Sequence, residues 1–188
     1  MVEFAMIIML FMTIVVAIIE FSFLFTSYLS VTFASRDAVQ MAATYGNADG
    51  SDAAVLERVR QDITTPANSA QIKTVEIYLV DTSSSTSSPV GGAITTYTYD
   101  GGSHKFTKPD GTDIYLPFTG PAPDGYPEAS RCNVNMGLGC EPKTTVDTVA
   151  VRITYQYKWI TPFPQIIAGS GSGPLLVQFS TMRLEPIR

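Results

Sequence analysis

The sequence predicts an α+β protein in which a long hydrophobic N-terminal helix packs on a C-terminal antiparallel β-sheet head with loop insertions. Three observations lead to this prediction. The first 45 residues contain neither glycine nor proline. Charge is scarce in the same region, since Glu20 is the only charged residue between Phe4 and Ser35. Further along the chain, apolar and polar residues alternate with the period of β-strands.

Composition divides the chain into two parts, an apolar helix at residues 1–45 that is long enough to cross a membrane and a polar, β-rich head at residues 46–188. The length of 188 residues suffices for one domain of ordinary size plus a long helix. The net charge is −5, and the 12 basic residues are scattered rather than clustered. Because phosphate binding requires clustered cations, a nucleic-acid partner is not expected.

The apolar stretch at residues 4–34 allows three interpretations. A cleaved signal peptide has a basic start and an apolar core of about 7–15 residues, whereas this chain starts acidic and stays apolar for longer. A single-pass anchor usually carries basic residues at its cytoplasmic end, and none precedes Arg36. The third interpretation is a helix whose basic leader has been removed by processing. Such a helix begins in the bilayer and ends packed against copies of itself.

Two carboxylates in this helix are candidate assembly residues. Glu3 lies at the positive end of the helix dipole, which alone explains an acidic residue there. Alternatively, Glu3 neutralises the free amine of a neighbouring subunit and thereby sets the register of assembly. Glu20 is an ionisable group inside an apolar helix, so we expect a specific partner facing it. It also fits a position at the membrane edge, where the carboxylate reaches water or a polar neighbour.

A short amphipathic helix is predicted near residues 52–64, with Ser51 or Asp52 as its N-cap. Asn47, Asp49 and Asp52 superficially suggest a calcium loop, but the order and downstream glutamate of an EF-hand are missing. Turn and capping chemistry explain the same residues. No metal site is therefore predicted.

Strands are predicted from period-2 alternation and turn signals. A hairpin around residues 100–102 is expected to join two of them. Three or more of these strands would form an antiparallel sheet that covers the exposed end of the long helix. The predicted strands are residues 71–81, 93–99, 104–108, 149–159 and 175–184.

A serine- and threonine-rich loop follows the first predicted strand. It is expected to be solvent-exposed, either as a flexible connection or as a site of O-glycosylation on a secreted surface. The candidate acceptors are Thr82, Ser83, Ser84, Ser85, Thr86, Ser87 and Ser88.

The two cysteines, Cys132 and Cys140, close a short loop and are predicted to form a disulfide. A zinc site would need four ligands, and His104 is the only histidine in the chain. No complete catalytic constellation occurs either. We therefore expect neither an enzyme nor a cofactor.

Taken together, the N-terminal helix, the long strand ending in Tyr-x-Tyr before Thr-Pro, and a terminal Met-Arg-x-Glu resemble the TadE-like pilins of tight-adherence pili. The matching stretches are residues 2–21, 149–162 and 181–185.

This resemblance implies a precursor cut by a prepilin peptidase and then assembled from the cytoplasmic membrane into an extracellular filament of many copies. The partners it implies are the membrane, the peptidase and the pilus assembly machinery. In that family the matching glutamate usually lies five residues after the cut. In this chain it is Glu3, so either the chain begins two residues late or the spacing differs. The alternative function is an accessory single-pass subunit of another membrane complex with an extracytoplasmic head.

Overall fold

One long helix and a five-stranded antiparallel sheet form the architecture, so the α+β prediction is confirmed. The computed structural model describes residues 2–81, 88–133, 146–161 and 172–184. Short 3₁₀ turns lie at Ser69–Gln71 and Glu128–Ser130. The helices and strands in chain order are α1 (Val2–Tyr45), α2 (Ser51–Asp62), β1 (Ile72–Val80), β2 (Pro89–Thr107), β3 (Asp113–Thr119), β4 (Thr148–Lys158) and β5 (Ser172–Arg183).

The sheet has the strand order β3-β2-β1-β4-β5, with antiparallel pairing between all neighbours. The central strands β1 and β4 are rich in β-branched residues, which suit a pleated surface buried on one face. Ile77 pairs with Val151 and Val75 pairs with Ile153, and all four side chains are fully buried. This row of side chains forms the centre of the core.

The C-terminal half of α1 packs on this sheet, chiefly along β4 and β5. Its buried face includes Val31, Ala34, Ala38 and Ala42, which follow each other at intervals of three or four residues. This spacing places them on one side of the helix. Because three of the four are alanines, the helix backbone can approach the sheet closely. The head is thereby attached to only part of α1.

The second helix, α2, lies against α1 through apolar side chains buried in the common core and through additional polar contacts. Arg58 forms ion pairs with Asp37 of α1 at 2.6 Å and with Asp62 at 3.0 Å. The Ser30 hydroxyl of α1 donates a hydrogen bond to the Asp62 carbonyl, with an O···O distance of 3.1 Å. The short helix expected from the sequence therefore braces the C-terminal half of α1.

The predicted hairpin at residues 100–102 is wrong, because one continuous strand, β2, runs through this region. β2 pairs with β3 on both sides of a bulge between Tyr99 and His104. Gly101 adopts a positive φ of 75°, and the Asp100 side chain accepts a hydrogen bond from the Gly102 N–H. These features bend the strand locally without reversing it.

The chain reverses instead at residues 108–112, at the start of a region where the sequence predicts surface loops with short strands but not their order. The Lys108 N–H donates to the Thr112 carbonyl at 2.9 Å, and Gly111 occupies the position with positive φ. The following residues form β3 and pair with β2. The true hairpin thus uses the second Asp-Gly pair of the region, Asp110 and Gly111.

Candidate functional site

The N-terminal half of α1 extends from the head with its apolar side chains exposed. Among the described residues, one helical segment, Ile7–Tyr45, is long and apolar enough to cross a membrane. An apolar surface of this extent marks a site for lipid or protein contact rather than an ordinary soluble surface. The exposed large side chains before residue 20, each at least 40% accessible, are Phe4, Ile7, Ile8, Met9, Leu10, Phe11, Met12, Ile14, Ile18 and Ile19.

Glu20 lies where this exposed segment meets the head, and it is only 4% exposed. Its Oε1 accepts a hydrogen bond from the Tyr157 hydroxyl at 3.0 Å and another from the Ile160 N–H at 2.9 Å. Its Oε2 accepts a hydrogen bond from the Thr161 N–H at 2.9 Å. Both carboxylate oxygens therefore have donors from the same chain.

The end of strand β4 explains why these donors are available. Tyr157 occupies the last inward-facing position of β4, and the strand ends at Lys158. Beyond that residue the Ile160 and Thr161 N–H groups point at Glu20 instead of at a neighbouring strand. Burial, followed by the hydrogen bond to Glu20, raises the pKa of Tyr157, so its hydroxyl stays protonated and donates. We call the four residues Glu20, Tyr157, Ile160 and Thr161 the Glu20 clasp.

The clasp gives Glu20 the specific partner that the sequence led us to expect, but the partner belongs to its own head. The assembly role of Glu20 stays a prediction. Glu3 lies within α1, and its side chain is outside what the structure describes, so its assembly role also stays a prediction.

Sequence interpretation missed Tyr157, Ile160 and Thr161 as the partners of Glu20. Two of the three act through backbone N–H groups, which no residue type can signal. Tyr157 lies in the alternating apolar pattern of residues 149–159, and a buried tyrosine usually finds a hydrogen-bond partner for its hydroxyl. That hydroxyl was the one available signal.

A second buried polar cluster joins α2 to the chain around residue 131. Arg131 is fully buried and forms an ion pair with Asp52 at 2.6 Å. It also donates to the Ser51 hydroxyl at 2.8 Å, and Tyr97 donates to Asp52 at 3.0 Å. Burial, the largest single effect, opposes the charge of Arg131, but Asp52 together with Tyr126 and Glu128 outweighs it and raises the pKa of Arg131. The cluster is therefore built to stay charged and to hold α2 in place.

The N-terminus of α2 is capped from a distance, so the prediction that Ser51 or Asp52 caps it is wrong. The N-cap residue is Gly50, whose φ of 82° places it in the left-handed region. Glu128 accepts hydrogen bonds from the Gly50 N–H at 2.7 Å and the Asp52 N–H at 2.6 Å. Ser51 and Asp52 turn instead toward Arg131. Glu128, which is distant in the sequence, therefore caps α2, while the side chains of Ser51 and Asp52 bind Arg131.

Several predicted site residues lie outside the described part of the chain. Cys132 is buried and is not a free thiol, but Cys140 lies outside that part, so the predicted disulfide between them stays a prediction. Of the candidate O-glycosylation residues at 82–88, only Ser88 is described. Its carbonyl accepts a hydrogen bond from the Asp81 N–H at 3.0 Å. The glycosylation hypothesis therefore stays untested.

The described geometry defines a class of protein in which one long helix, exposed and apolar at its N-terminal end, carries a β-sheet head at its other end. A family model described as TadE-like protein matches residues 1–40. The match covers the exposed segment, the Glu20 position and the beginning of the head-bound half of α1. No curated protein and no solved structure matches the chain. The family similarity thus supports the TadE-like interpretation at the N-terminus, while the resemblance of residues 149–162 and 181–185 remains a prediction.

Proposed function

We propose that the chain is a structural pilin subunit that assembles through α1 into an extracellular filament of the tight-adherence type. The observation that carries this proposal is the exposed apolar surface of α1 before residue 20. The TadE-like match over residues 1–40 supports a pilus context for that helix. The proposal includes no catalytic role.

The exposed segment has the properties of a helix that changes partners between lipid and protein. In water, each large apolar side chain would lose the roughly 1.5–3 kcal/mol that burial contributes. Between Phe4 and Ile19 the sequence contains no charged residue, so nothing in that segment requires water. The same surface can therefore face acyl chains before assembly and helices of other copies afterwards. The peptidase and assembly machinery expected from the resemblance would act on this membrane-inserted form.

The length of the exposed segment also suits an accessory single-pass subunit that never leaves the membrane. Residues 2–19 rise about 27 Å at roughly 1.5 Å per residue, close to the roughly 30 Å hydrocarbon thickness of a bilayer. Such a subunit would keep its helix in lipid and need no self-association. The two functions differ in where the protein is found after cells are sheared.

Cryo-electron microscopy of sheared surface material distinguishes the two functions. The pilin proposal expects this chain in helical filaments with α1 helices bundled at the axis. Recovery of the chain only from detergent-extracted membranes, beside other subunits, would contradict the proposal and favour the accessory subunit.

A matched pair of variants sharpens the test. Phe11→Ala removes an aromatic ring that is 58% exposed on α1, and Tyr115→Ala removes one that is 62% exposed on the head. Filament yield should fall for Phe11→Ala and stay unchanged for Tyr115→Ala, with equal amounts of both proteins in the membrane. Equal filament yields would show that the exposed face of α1 at Phe11 does not mediate assembly.

A further inference from the structure

The head presents a small tip beside the Glu20 clasp, formed by Lys158, Trp159 and Ile160. Lys158 is exposed, and Ile160 is 55% exposed. Trp159 is half-buried and lies edge-on against Tyr157, with ring centroids 5.6 Å apart at an interplanar angle of 88°. We call Lys158, Trp159 and Ile160 the interfacial tip.

Glu20 fixes the position of this tip along α1. The Tyr157 hydroxyl and the Ile160 N–H, on either side of Trp159, both donate to the Glu20 carboxylate. The tip is therefore held at the level of residue 20, where the head begins to cover one side of the helix, while the other side still exposes Phe21, Phe25 and Phe33. The rise of about 27 Å from residue 2 to residue 19 corresponds to one hydrocarbon layer of roughly 30 Å. A helix inserted to that depth would bring the tip to the boundary between acyl chains and headgroups.

The three side chains of the tip suit that boundary. Tryptophan is enriched at membrane interfaces. Trp159 offers the accessible part of its half-buried ring there, while its Nε1 is buried in the head. A lysine there keeps its ammonium among the lipid phosphates while its methylenes lie on apolar surface. The buried and hydrogen-bonded Glu20 presents no exposed carboxylate that would repel an anionic surface.

We propose that the interfacial tip docks on the headgroup layer of an anionic phospholipid bilayer and sets the depth at which the subunit is seated before assembly. This inference rests on the membrane-inserted state in the proposed function. The partner is a lipid surface rather than a second protein, because three adjacent residues are far fewer than the roughly 20–30 per side of a standard protein interface. Positive charge and an aromatic ring at the depth of the bilayer edge match the chemistry of that surface.

Trp159 itself supplies the measurement, since it is the only tryptophan in the chain. The full-length protein would be reconstituted in vesicles of phosphatidylethanolamine and phosphatidylglycerol that carry lipids brominated at shallow or deep chain positions. The proposal expects a loss of Trp159 emission that is larger with shallow than with deep bromines, together with protection from aqueous acrylamide. Full quenching by acrylamide with no effect of either brominated lipid would overturn the proposal.

Two variants test the chemistry of the contact. Ile160→Asp places a charge in the tip but retains the backbone N–H that binds Glu20, and it should reduce shallow quenching. The matched control is Val90→Asp at the far end of the head, where an exposed aliphatic residue is likewise replaced. Lys158→Glu should weaken shallow quenching on vesicles containing phosphatidylglycerol and have little effect on vesicles of phosphatidylcholine alone. Equal quenching for Ile160→Asp, Val90→Asp and the unmodified chain would contradict a specific role for the tip.

Alkaline carbonate extraction of the same vesicles separates this inference from the proposed function. A chain that resists extraction while Trp159 stays in water is inserted, so only the docking of the tip is refuted. A chain released by carbonate is not inserted, which refutes both the seating depth and the membrane-inserted state. Filament formation is measured independently in sheared material.

Discussion

Removing one hydroxyl from the Glu20 clasp provides the sharpest test of how the head is attached to the helix. Tyr157→Phe deletes the donor to Glu20 Oε1 but keeps the ring that contacts Trp159. Both Tyr157 and Glu20 are almost fully buried, at 2% and 4% exposure. A hydrogen bond to a charged group contributes about 1.5–3 kcal/mol. Since Glu20 keeps two backbone donors, we expect a loss of about 2 kcal/mol, or roughly 30-fold in the folded-to-unfolded ratio.

The assay is denaturant unfolding of the full-length protein in detergent micelles, followed by the fluorescence of Trp159. This single tryptophan lies against the Tyr157 ring and therefore reports on opening of the clasp. Tyr115→Phe is the matched control, because Tyr115 is 62% exposed on β3. It should change the free energy of unfolding by no more than about 0.5 kcal/mol.

A double-mutant cycle shows whether the effect acts through Glu20. Glu20→Gln, Tyr157→Phe and the double variant would be compared under identical conditions. Residues in one hydrogen-bond network show coupling, and we expect about 1 kcal/mol or more for this pair. A change below about 0.5 kcal/mol for Tyr157→Phe, or strict additivity in the cycle, would refute the clasp as a stabilising attachment.

Three further predictions concern the second polar cluster and α2. Arg131→Met should lower the free energy of unfolding by about 3–5 kcal/mol in denaturant titrations, because Asp52 is left buried without its cation; a loss below about 1 kcal/mol would contradict this. Burial, followed by the charge of Asp52, raises the pKa of Glu128 above its ordinary value of 4.5. The stability that protonated Glu128 contributes is therefore fully present below pH 4.5 and is lost as the pH rises through the pKa of the folded state. Denaturation measured across pH should therefore give a flatter profile above pH 4.5 for Glu128→Gln, and parallel profiles would refute the raised pKa. Gly50→Ala should destabilise the folded state by more than Gly91→Ala, for which about 1–2 kcal/mol is expected. Both glycines have positive φ, but of the two only Gly50 is so placed that a Cβ would collide with a backbone carbonyl. Thermal denaturation of both variants measures the difference, and equal melting temperatures would contradict it.

The elements that the sequence revealed are those whose signal is local. The exposed apolar run at the start of α1 and the alternation in β4 each report the surroundings of consecutive residues, so composition and period were sufficient. The alternation at residues 149–159 predicts six residues on one apolar face, and five of them are buried: Val149, Val151, Ile153, Tyr155 and Tyr157. The sixth, Trp159, lies beyond the end of β4 and is half-buried. Local patterns of this kind predict burial correctly because the strand geometry alone decides which side chains face the core.

The hairpin error shows where local reasoning failed. Asp-Gly occurs at residues 100–101 and again at 110–111, and each pair is a turn signal. Pro117 weakened the strand signal of the residues that follow the second pair, because proline cannot donate to a sheet ladder. Since β3 is an edge strand and Pro117 lies opposite the bulge in β2, the missing N–H is tolerated. The position of the chain reversal therefore depended on the pairing of β2 with β3, which no local sequence pattern reveals.

The residues of the two buried polar clusters also differ in whether the sequence around them gives a signal. Glu20 was recognisable because a carboxylate in an apolar helix is unusual, but its tyrosine partner lies 137 positions away. Arg131 gave no signal at all, because an arginine in the sequence looks the same whether it is exposed or fully buried. Its role depends on the tertiary structure, in which Asp52 of α2 contacts Arg131. Unusual chemistry can thus be detected in a sequence, whereas the identity of the partner requires the tertiary structure.

The Glu20 clasp also constrains how the proposed assembly proceeds. The donors to Glu20 come from its own head, so under the proposed function this carboxylate would keep the same partners in the bilayer and in a filament. Under the same proposal, assembly would change the surroundings of the exposed apolar side chains of α1. Moving them from lipid into a helix bundle gains little from the hydrophobic effect, since acyl chains are as apolar as leucine. Passing through water would instead lose roughly 1.5–3 kcal/mol for each large side chain exposed. Extraction from the bilayer and packing against other helices must therefore occur together, with shape complementarity rather than burial favouring the filament.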